Sequence, residues 1–211
     1  MDKPDITILT PLSLRTSWRF PLQSDAARRE VIIGGLWLLV PFVGWLMNMG
    51  HRIIMVHNMM HGRSAWPAWT DPKGLLWHGL VTFVGMLYYY SPAMALAAVY
   101  WWWGRALWAI IAAAVLFVMA TVAIPGYMSH YCREFDPREI FDPFRAVSRV
   151  FESGAAYWHA WLIALSALAT SFVGLLGLGV GFLFTSVWFW QVAGFSFASV
   201  MTRRHGLMQE R

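Results

Sequence analysis

The strongest constraint on the fold of this chain is a set of four apolar segments, each long enough to cross a lipid bilayer. They cover residues 74–99, 106–124, 155–173 and 178–201. A transmembrane helix needs about 20 apolar residues, because it rises about 1.5 Å per residue through a hydrocarbon layer about 30 Å thick. Inside that layer every backbone polar group must be bonded within the protein, which favours helices. The sequence therefore predicts an all-α membrane protein built as a small helical bundle.

The composition of the chain agrees with this prediction. Hydrophobic residues make up 58% of the 211 residues and charged residues only 13%, whereas soluble domains carry about 25% charged residues. The chain also has 14 tryptophans, a residue that is enriched at membrane–water interfaces and in subunit contacts. The surplus apolar surface therefore requires lipid or a protein partner rather than water.

The positive charges predict the orientation of the bundle. The net charge is +5, and three basic segments, 51–73, 133–149 and 203–211, are each separated from the next by two predicted spans. They therefore lie on one side, which the positive-inside rule assigns to the cytoplasm, and only Arg105 lies on the other side. No Lys/Arg-rich run resembles a nucleic-acid patch, so the expected partners of these charges are anionic lipid head groups.

The chain divides into three regions by composition. Residues 1–30 contain three prolines and charges throughout, and we expect an extended cytoplasmic arm without a cleaved signal peptide. Residues 31–204 form a single transmembrane domain, and residues 205–211 form a cytoplasmic tail. The lone Cys132 excludes a disulfide within the chain.

The segment 31–50 has two interpretations, which remain open at this point. It is about long enough to cross the membrane, but it contains Pro41 with Gly44 close behind. It is therefore either a fifth transmembrane segment or a re-entrant hairpin that enters and leaves on the cytoplasmic side.

Two amphipathic stretches predict cytoplasmic helices that lie in the membrane interface. The first is 51–63, in which Gly62 ends a helix with a broad apolar arc. The second is 135–153, where Asp136-Pro137 followed by Glu139 has the form of a capping box. Apolar residues at helical spacing and arginines off that stripe favour contact with an anionic surface. The stripe of the second stretch consists of Ile140, Phe144, Val147 and Phe151.

The arrangement of these features resembles a family of bacterial and archaeal polytopic membrane proteins known as a domain of unknown function. The matching residues in the first half are Pro41, Gly50, Gly62, Pro67-x-Trp69 and the glycine-led span that begins at Gly74 and Gly79; those in the second half are Phe144, Phe151, Tyr157, Trp161 and a Gly-rich hinge. The resemblance covers most of residues 28–204. It implies a multi-pass protein of the bacterial cytoplasmic (inner) membrane and no established activity. The positive charges Arg203, Arg204 and Arg211 predict a cytoplasmic C-terminus.

The histidines are the first candidates for chemistry. In the predicted topology, all seven lie at or near the cytoplasmic side: His51, His57, His61, His78, His130, His159 and His205. His57 and His61 are spaced i and i+4, which places two imidazoles on one helix face as ligands for iron or copper. His78 and His159 lie at similar depths in two spans and are candidate axial ligands of haem b. The alternative for all of them is a polar ring at the head-group boundary without a bound metal.

Other polar and small residues are candidates for helix contacts rather than catalysis. Gln191 lies near the middle of the last span, and Gly177 and Gly181 form a GxxxG motif. The Trp66-Pro67-x-Trp69 turn is a candidate packing or interface element. No ionisable residue is predicted deep in any of the four spans.

Three functional hypotheses follow from these observations. The first is a non-enzymatic membrane subunit or scaffold that assembles with itself or with a membrane protein partner, because no catalytic set is evident. The second is a transporter or channel component for apolar or lipid-like molecules, with a pocket lined by Gln191 and by the Ser and Thr residues of the last two spans. The third is a metal- or haem-dependent redox protein that uses the histidines.

Overall fold

A computed structural model of the chain describes residues 5–102, 106–177 and 179–208, which form helices and no strands. The α-helices are α1 (Leu14–Arg19), α2 (Asp25–Trp37), α3 (Val43–Met60), α4 (Pro72–Trp102), α5 (Leu107–Glu134), α6 (Pro143–Ser171) and α7 (Val180–His205), and the 3-10 helices are Phe20–Leu22, Pro137–Glu139 and Phe172–Leu176. Four of them, α4, α5, α6 with the 3-10 helix after it, and α7, are long and apolar enough to cross a membrane. The prediction of an all-helical protein with four such helices is confirmed.

Helix α3 lies at the centre of the bundle. It packs against α4, α5 and α7, while α6 packs against α5 and α7 on the other side. Large apolar side chains on the outer faces of α4 and α5 are exposed, as expected for surfaces that contact lipid. They include Trp77, Trp101, Trp102, Leu107, Trp108 and Phe117.

Two glycines allow α3 and α4 to approach each other closely. A Cβ atom on Gly50 would overlap the Leu75 carbonyl and lie 2.9 Å from Leu75 Cα, and a Cβ atom on Gly79 would lie 2.7 Å from the carbonyl carbon of Leu46. Small residues at such contacts let helix backbones pack directly on one another. The pairing of Gly50 with Leu75 and of Gly79 with Leu46 therefore sets the register of the two antiparallel helices.

The segment 31–50 is a helical hairpin and not one continuous helix. Residues 38–42 form a turn between α2 and α3, and Val40 N–H donates to Trp37 O at 2.9 Å. The Asn48 amide closes the hairpin by donating to Gly34 O at 3.0 Å and to Gly44 O at 2.8 Å. The segment is therefore not one continuous helix, and the interpretation that it re-enters the membrane from the cytoplasmic side stays a prediction.

The N-terminal region is not the extended arm that the prolines predict. Residues 14–22 form α1 and a 3-10 helix, which pack against α7. Phe20 is fully buried and stacks on Phe195 at 4.4 Å between ring centroids, and Trp188 Nε1–H donates to Trp18 O at 3.1 Å. The expectation was wrong because the aromatic side chains of this region are core residues rather than interfacial anchors.

The stretch 51–63 is not a separate interfacial helix. Residues 51–60 are the C-terminal half of α3, and their apolar side chains lie in the main core of the bundle. The buried members are Ile53, Met55, Val56, Met59 and Met60. The apolar arc faces protein because α5 and α7 cover it, and this correction removes one of the two predicted interfacial helices.

The second amphipathic stretch is divided between core and surface. Ile140 and Val150 are buried, whereas Phe144 is 87% exposed and Phe151 is 79% exposed. Gly154, with φ 55° and ψ −139°, separates this first part of α6 from its apolar part. Such a backbone conformation is accessible to glycine and strained for other residues. The predicted start of the third span near residue 155 agrees with this kink.

Helix α5 continues beyond the Pro125-Gly126 pair that was predicted to end it. It ends at Glu134, and Phe135 caps it with a positive φ of 57°. Proline lacks an N–H group and therefore cannot donate to the carbonyl of Thr121 four residues earlier. Close to this position the Tyr157 hydroxyl donates to Val122 O, and Ser129 Oγ donates to Pro125 O at 3.0 Å.

The Gly177 and Gly181 pair does not lie on one helix. Gly177 is in the turn before α7, which begins at Val180. The close approach in this region is between Gly174 and Gly181, because a Cβ atom on Gly174 would lie 2.7 Å from the carbonyl carbon of Gly181. The GxxxG motif therefore reflects a tight hairpin between α6 and α7.

Candidate ligand-binding cavity

The most unusual side chain in the bundle is Arg52, on the face of α3 that points toward α5 and α7. It is 9% exposed, and no carboxylate of the described residues lies within 4 Å of it. Its contacts are soft or aromatic: Nη2 lies 3.7 Å from Met128 Sδ, and Cζ lies 4.7 Å from the centroid of the Trp190 ring. Arg52 is therefore a buried cation without an acidic partner in the described part of the chain.

A comparison with the other buried arginine shows what is absent around Arg52. Arg149 is 8% exposed, and its Nη2 lies 2.6 Å from Glu139 Oε2. Burying a charge costs several kcal/mol unless a partner compensates it. Burial away from water is also the main reason why the pKa of the Arg52 guanidinium is lower than its ordinary value. An uncompensated buried charge is the kind of feature that marks a functional site.

The neighbouring helix leaves space for the Arg52 side chain. Gly194 of α7 lies against its stem, where a Cβ atom would sit 3.0 Å from Arg52 Cγ and 3.2 Å from Cδ. Any larger residue at position 194 would crowd the arginine. The backbone of α7 is therefore part of the wall around Arg52.

Two cavities meet at Arg52. The first has a volume of about 350 Å³. Besides the residues that it shares with the second cavity, it is lined by Leu38, Trp45, Asn48, Met49, Phe182, Leu183, Ser186 and Val187. The second has a volume of about 300 Å³ and extends along α5, α6 and α7 from Cys132 to Thr121 and Leu168. The shared residues are Arg52, Met86 and Trp190. Most of the other lining side chains are apolar, and neither cavity is fully enclosed.

Arg52 lies well inside the ends of the neighbouring helices α5 and α7. It contacts Met128 and Gly194, which lie about 9 Å from the end of α5 at Glu134 and about 16 Å from the end of α7 at His205. The sequence pattern did not indicate this buried charge, because 51–63 is typical of a surface helix. The available signal was its helical neighbourhood, since Met49, Met55 and Val56 on the same face are all apolar.

The Trp66-Pro67-x-Trp69 turn is held by a second buried polar group, the carboxylate of Glu30. Glu30 Oε2 accepts from His51 Nε2 at 2.7 Å and from Ala68 N–H at 3.0 Å. His51 stacks on Trp69 at 4.4 Å, and Trp69 Nε1–H donates to Glu30 O at 3.3 Å. This cluster joins α2, α3 and the turn before α4.

Trp66 and Pro67 of the same turn differ in burial. Trp66 is buried against Phe20 at 5.3 Å between ring centroids, whereas Pro67 is exposed. The two tryptophans predicted as a packing element thus contact residues of their own chain. Their possible role in subunit contacts stays a prediction.

The stability of the Glu30–His51 cluster is expected to fall in mild acid. Burial lowers the pKa of His51 below its ordinary value of 6.5, and the opposing effect of Glu30 does not offset this. The unfolded chain therefore binds a proton at His51 before the folded chain does, so stability is fully present above about pH 6.5 and decreases as the pH falls through that value. The melting temperature of purified protein in detergent, measured from pH 8 to pH 5, checks this sign.

The matched control for this pH dependence is His51→Gln, which keeps a donor for Glu30 but does not titrate. We expect a shallower pH profile for this variant than for the wild type. Equal slopes for the two proteins would show that His51 does not contribute to the pH dependence.

The candidate metal ligands His57 and His61 are close to each other at the end of α3. Their ring centroids are 4.0 Å apart, and their Nδ1 atoms bond the carbonyls of Cys132 and His57, each at 2.8 Å. Burial lowers the pKa of His57. Among the described residues there is no group of three or more His, Cys, Asp and Glu side chains arranged to hold a metal ion. A site for iron or copper would therefore need ligands beyond these two.

The candidate haem ligands are not brought together. His78 on α4 bonds the Tyr131 hydroxyl at 2.7 Å and contacts Phe135, whereas His159 is exposed on α6. Helix α4 packs against α3 and α5, while α6 packs against α5 and α7. These two histidines therefore do not face each other across one helix interface.

Gln191 is buried in α7, with 1% of its surface exposed. Neither its amide oxygen nor its amide nitrogen has a hydrogen-bond partner among the described residues. It lines neither of the two cavities at Arg52. The two cavities therefore do not have the predicted lining: of the Ser and Thr residues in the last two spans, only Ser186 lines either of them.

Comparisons with protein-family models, with curated proteins and with solved structures give no match for this chain. The resemblance to a family of uncharacterised polytopic membrane proteins therefore stays a prediction.

Proposed function

We propose that this multi-pass membrane protein binds an anionic amphiphile, and that it holds or moves this molecule within the bilayer. The observation that carries the proposal is Arg52, a buried cation without an acidic partner at the junction of two apolar cavities. A carboxylate or phosphate group supplies the missing charge, because the planar guanidinium donates two parallel hydrogen bonds to either. The apolar lining accommodates hydrocarbon, which favours the lipid-like substrate of the second hypothesis.

The distribution of exposed and half-exposed arginines supports a cytoplasmic placement of one end of the bundle. Arg133 at the end of α5, Arg138 and Arg145 near the start of α6, and Arg203 and Arg204 at the end of α7 lie where consecutive antiparallel helices meet. By the positive-inside rule we propose that this end, with the C-terminus, faces the cytoplasm of a bacterial inner membrane. Phe144 and Phe151 beside these arginines support an interfacial position for the first part of α6.

The proposal predicts that Arg52→Met abolishes preference for anionic lipid. A hydrogen bond to a charged group contributes about 1.5–3 kcal/mol, which corresponds to about tenfold or more in affinity. Native mass spectrometry in mild detergent measures binding of phosphatidic acid, of diacylglycerol with the same chains, and of inorganic phosphate. We expect the wild type to retain one phosphatidic acid in preference to the other two, and Arg52→Met to retain it at least about tenfold less.

The matched control is Arg145→Met, which removes an exposed arginine near the start of α6. It should leave the preference for phosphatidic acid unchanged. Arg52→Met should also keep or raise the melting temperature of the ligand-free protein, because it removes an uncompensated buried charge and keeps most of the side-chain stem. Equal binding of phosphatidic acid and diacylglycerol by the wild type would overturn the proposal and favour the non-enzymatic subunit instead.

A further inference from the structure

We infer that the ligand of this site has two apolar chains joined at one anionic group, each chain occupying one of the two cavities. This inference rests on the proposed function, because it assigns the ligand class of the same site. The inference depends on one geometric observation: the two cavities have only Arg52, Met86 and Trp190 in common.

The two cavities leave Arg52 along different helices. The first lies between α3 and the N-terminal half of α7 and reaches Leu38 at the end of α2 and Phe182. The second lies among α3, α5, α6 and α7 and reaches Thr121 and Leu168. An anionic group bonded to Arg52 is therefore located where two separate apolar paths begin.

The similar size of the cavities favours two chains over one. Their volumes are about 350 Å³ and about 300 Å³. A single-chain amphiphile bonded to Arg52 fills one cavity and leaves the other apolar cavity without contacts. A ligand with two chains gains apolar burial in both, and because neither cavity is fully enclosed, longer chains continue into the surrounding lipid.

The chain offers a matched pair of positions at which to block one cavity at a time. Ser186 lines only the first cavity and Thr121 only the second. Both are half-buried, and each hydroxyl donates to a backbone carbonyl of its own helix, Ser186 to Leu183 O and Thr121 to Phe117 O. Ser186→Trp and Thr121→Trp therefore each place an indole in one cavity without touching Arg52.

The experiment measures binding of phosphatidic acid, which has two chains, and of lysophosphatidic acid, which has one chain and the same head group. Wild-type protein is expected to bind the two-chain lipid at least about tenfold more tightly than the one-chain lipid. Each tryptophan variant should reduce binding of the two-chain lipid to about the level of the one-chain lipid. Because the one-chain lipid fills only one of the two cavities, its binding should decrease in at most one of the two variants.

The outcomes separate this inference from the proposal on which it depends. Equal wild-type affinity for both lipids, or full two-chain binding by either tryptophan variant, overturns the two-chain inference while Arg52-dependent binding remains. Loss of anion preference in the wild type overturns the proposed function itself. If a tryptophan variant is not monodisperse in detergent, Ser186→Leu and Thr121→Leu test the same two cavities with smaller side chains and the same expected order of affinities.

Discussion

Replacing Glu30 by alanine is expected to destabilise the protein by about 1–3 kcal/mol for each of the two buried donors that it leaves without an acceptor. The carboxylate bonds His51 Nε2 and Ala68 N–H, and the residue is almost fully buried. Without it, two buried donors lose their acceptor, and each unmade hydrogen bond adds its desolvation cost. The turn between α3 and α4 also loses its bond to the Glu30 side chain and keeps only the bond from Trp69 Nε1–H to the Glu30 backbone carbonyl.

The control for Glu30→Ala is Asp25→Ala on the same helix. Asp25 forms an exposed ion pair with Arg28, with Nη1 and Oδ1 3.1 Å apart, and exposed pairs contribute little to stability. Thermal unfolding in detergent, followed by circular dichroism, should show a large decrease of the melting temperature for Glu30→Ala and almost none for Asp25→Ala. Similar melting temperatures for the two variants would mean that the Glu30 cluster is not a structural element.

Replacing Gly50 by leucine is expected to separate α3 from α4 and to cost at least about 1–3 kcal/mol, the usual range for overpacking in a well-packed core. A Cβ atom on Gly50 overlaps the backbone carbonyl of Leu75, and a backbone group cannot rotate away as a side chain can. The displacement also moves Arg52, two residues further along α3. We therefore expect a lower melting temperature together with weaker binding of anionic lipid.

The control for this substitution is Ala114→Leu, at an exposed position on α5. It adds bulk to a transmembrane helix without a helix contact, and its melting temperature should match the wild type. Gly79→Leu, at the second close contact with α3, should reproduce the effect of Gly50→Leu. Wild-type stability in both glycine variants would show that α3 and α4 do not pack in this register.

The sequence predicted the features that depend on hydropathy along the chain. Four long apolar segments require helices in lipid, whatever their partners, and the structure has four helices of this kind. The predicted start of the third span near residue 155 agrees with the kink at Gly154, whereas the sequence left open whether 31–50 turns back near Pro41. The predicted end of α5 at Pro125 was wrong, because the helix continues through the proline to Glu134 where it packs against α3, α4, α6 and α7.

The sequence by itself determined that this chain is helical and that four segments are suited to a membrane. Only the tertiary structure decided which amphipathic face meets protein: the face of 51–60 turns inward because α5 and α7 cover it, and it carries Arg52 into the core. A helical period gives the direction of a face but not what covers it, since that depends on contacts distant in sequence. The candidate site therefore depends on the packing of α3 against α5 and α7, which buries Arg52.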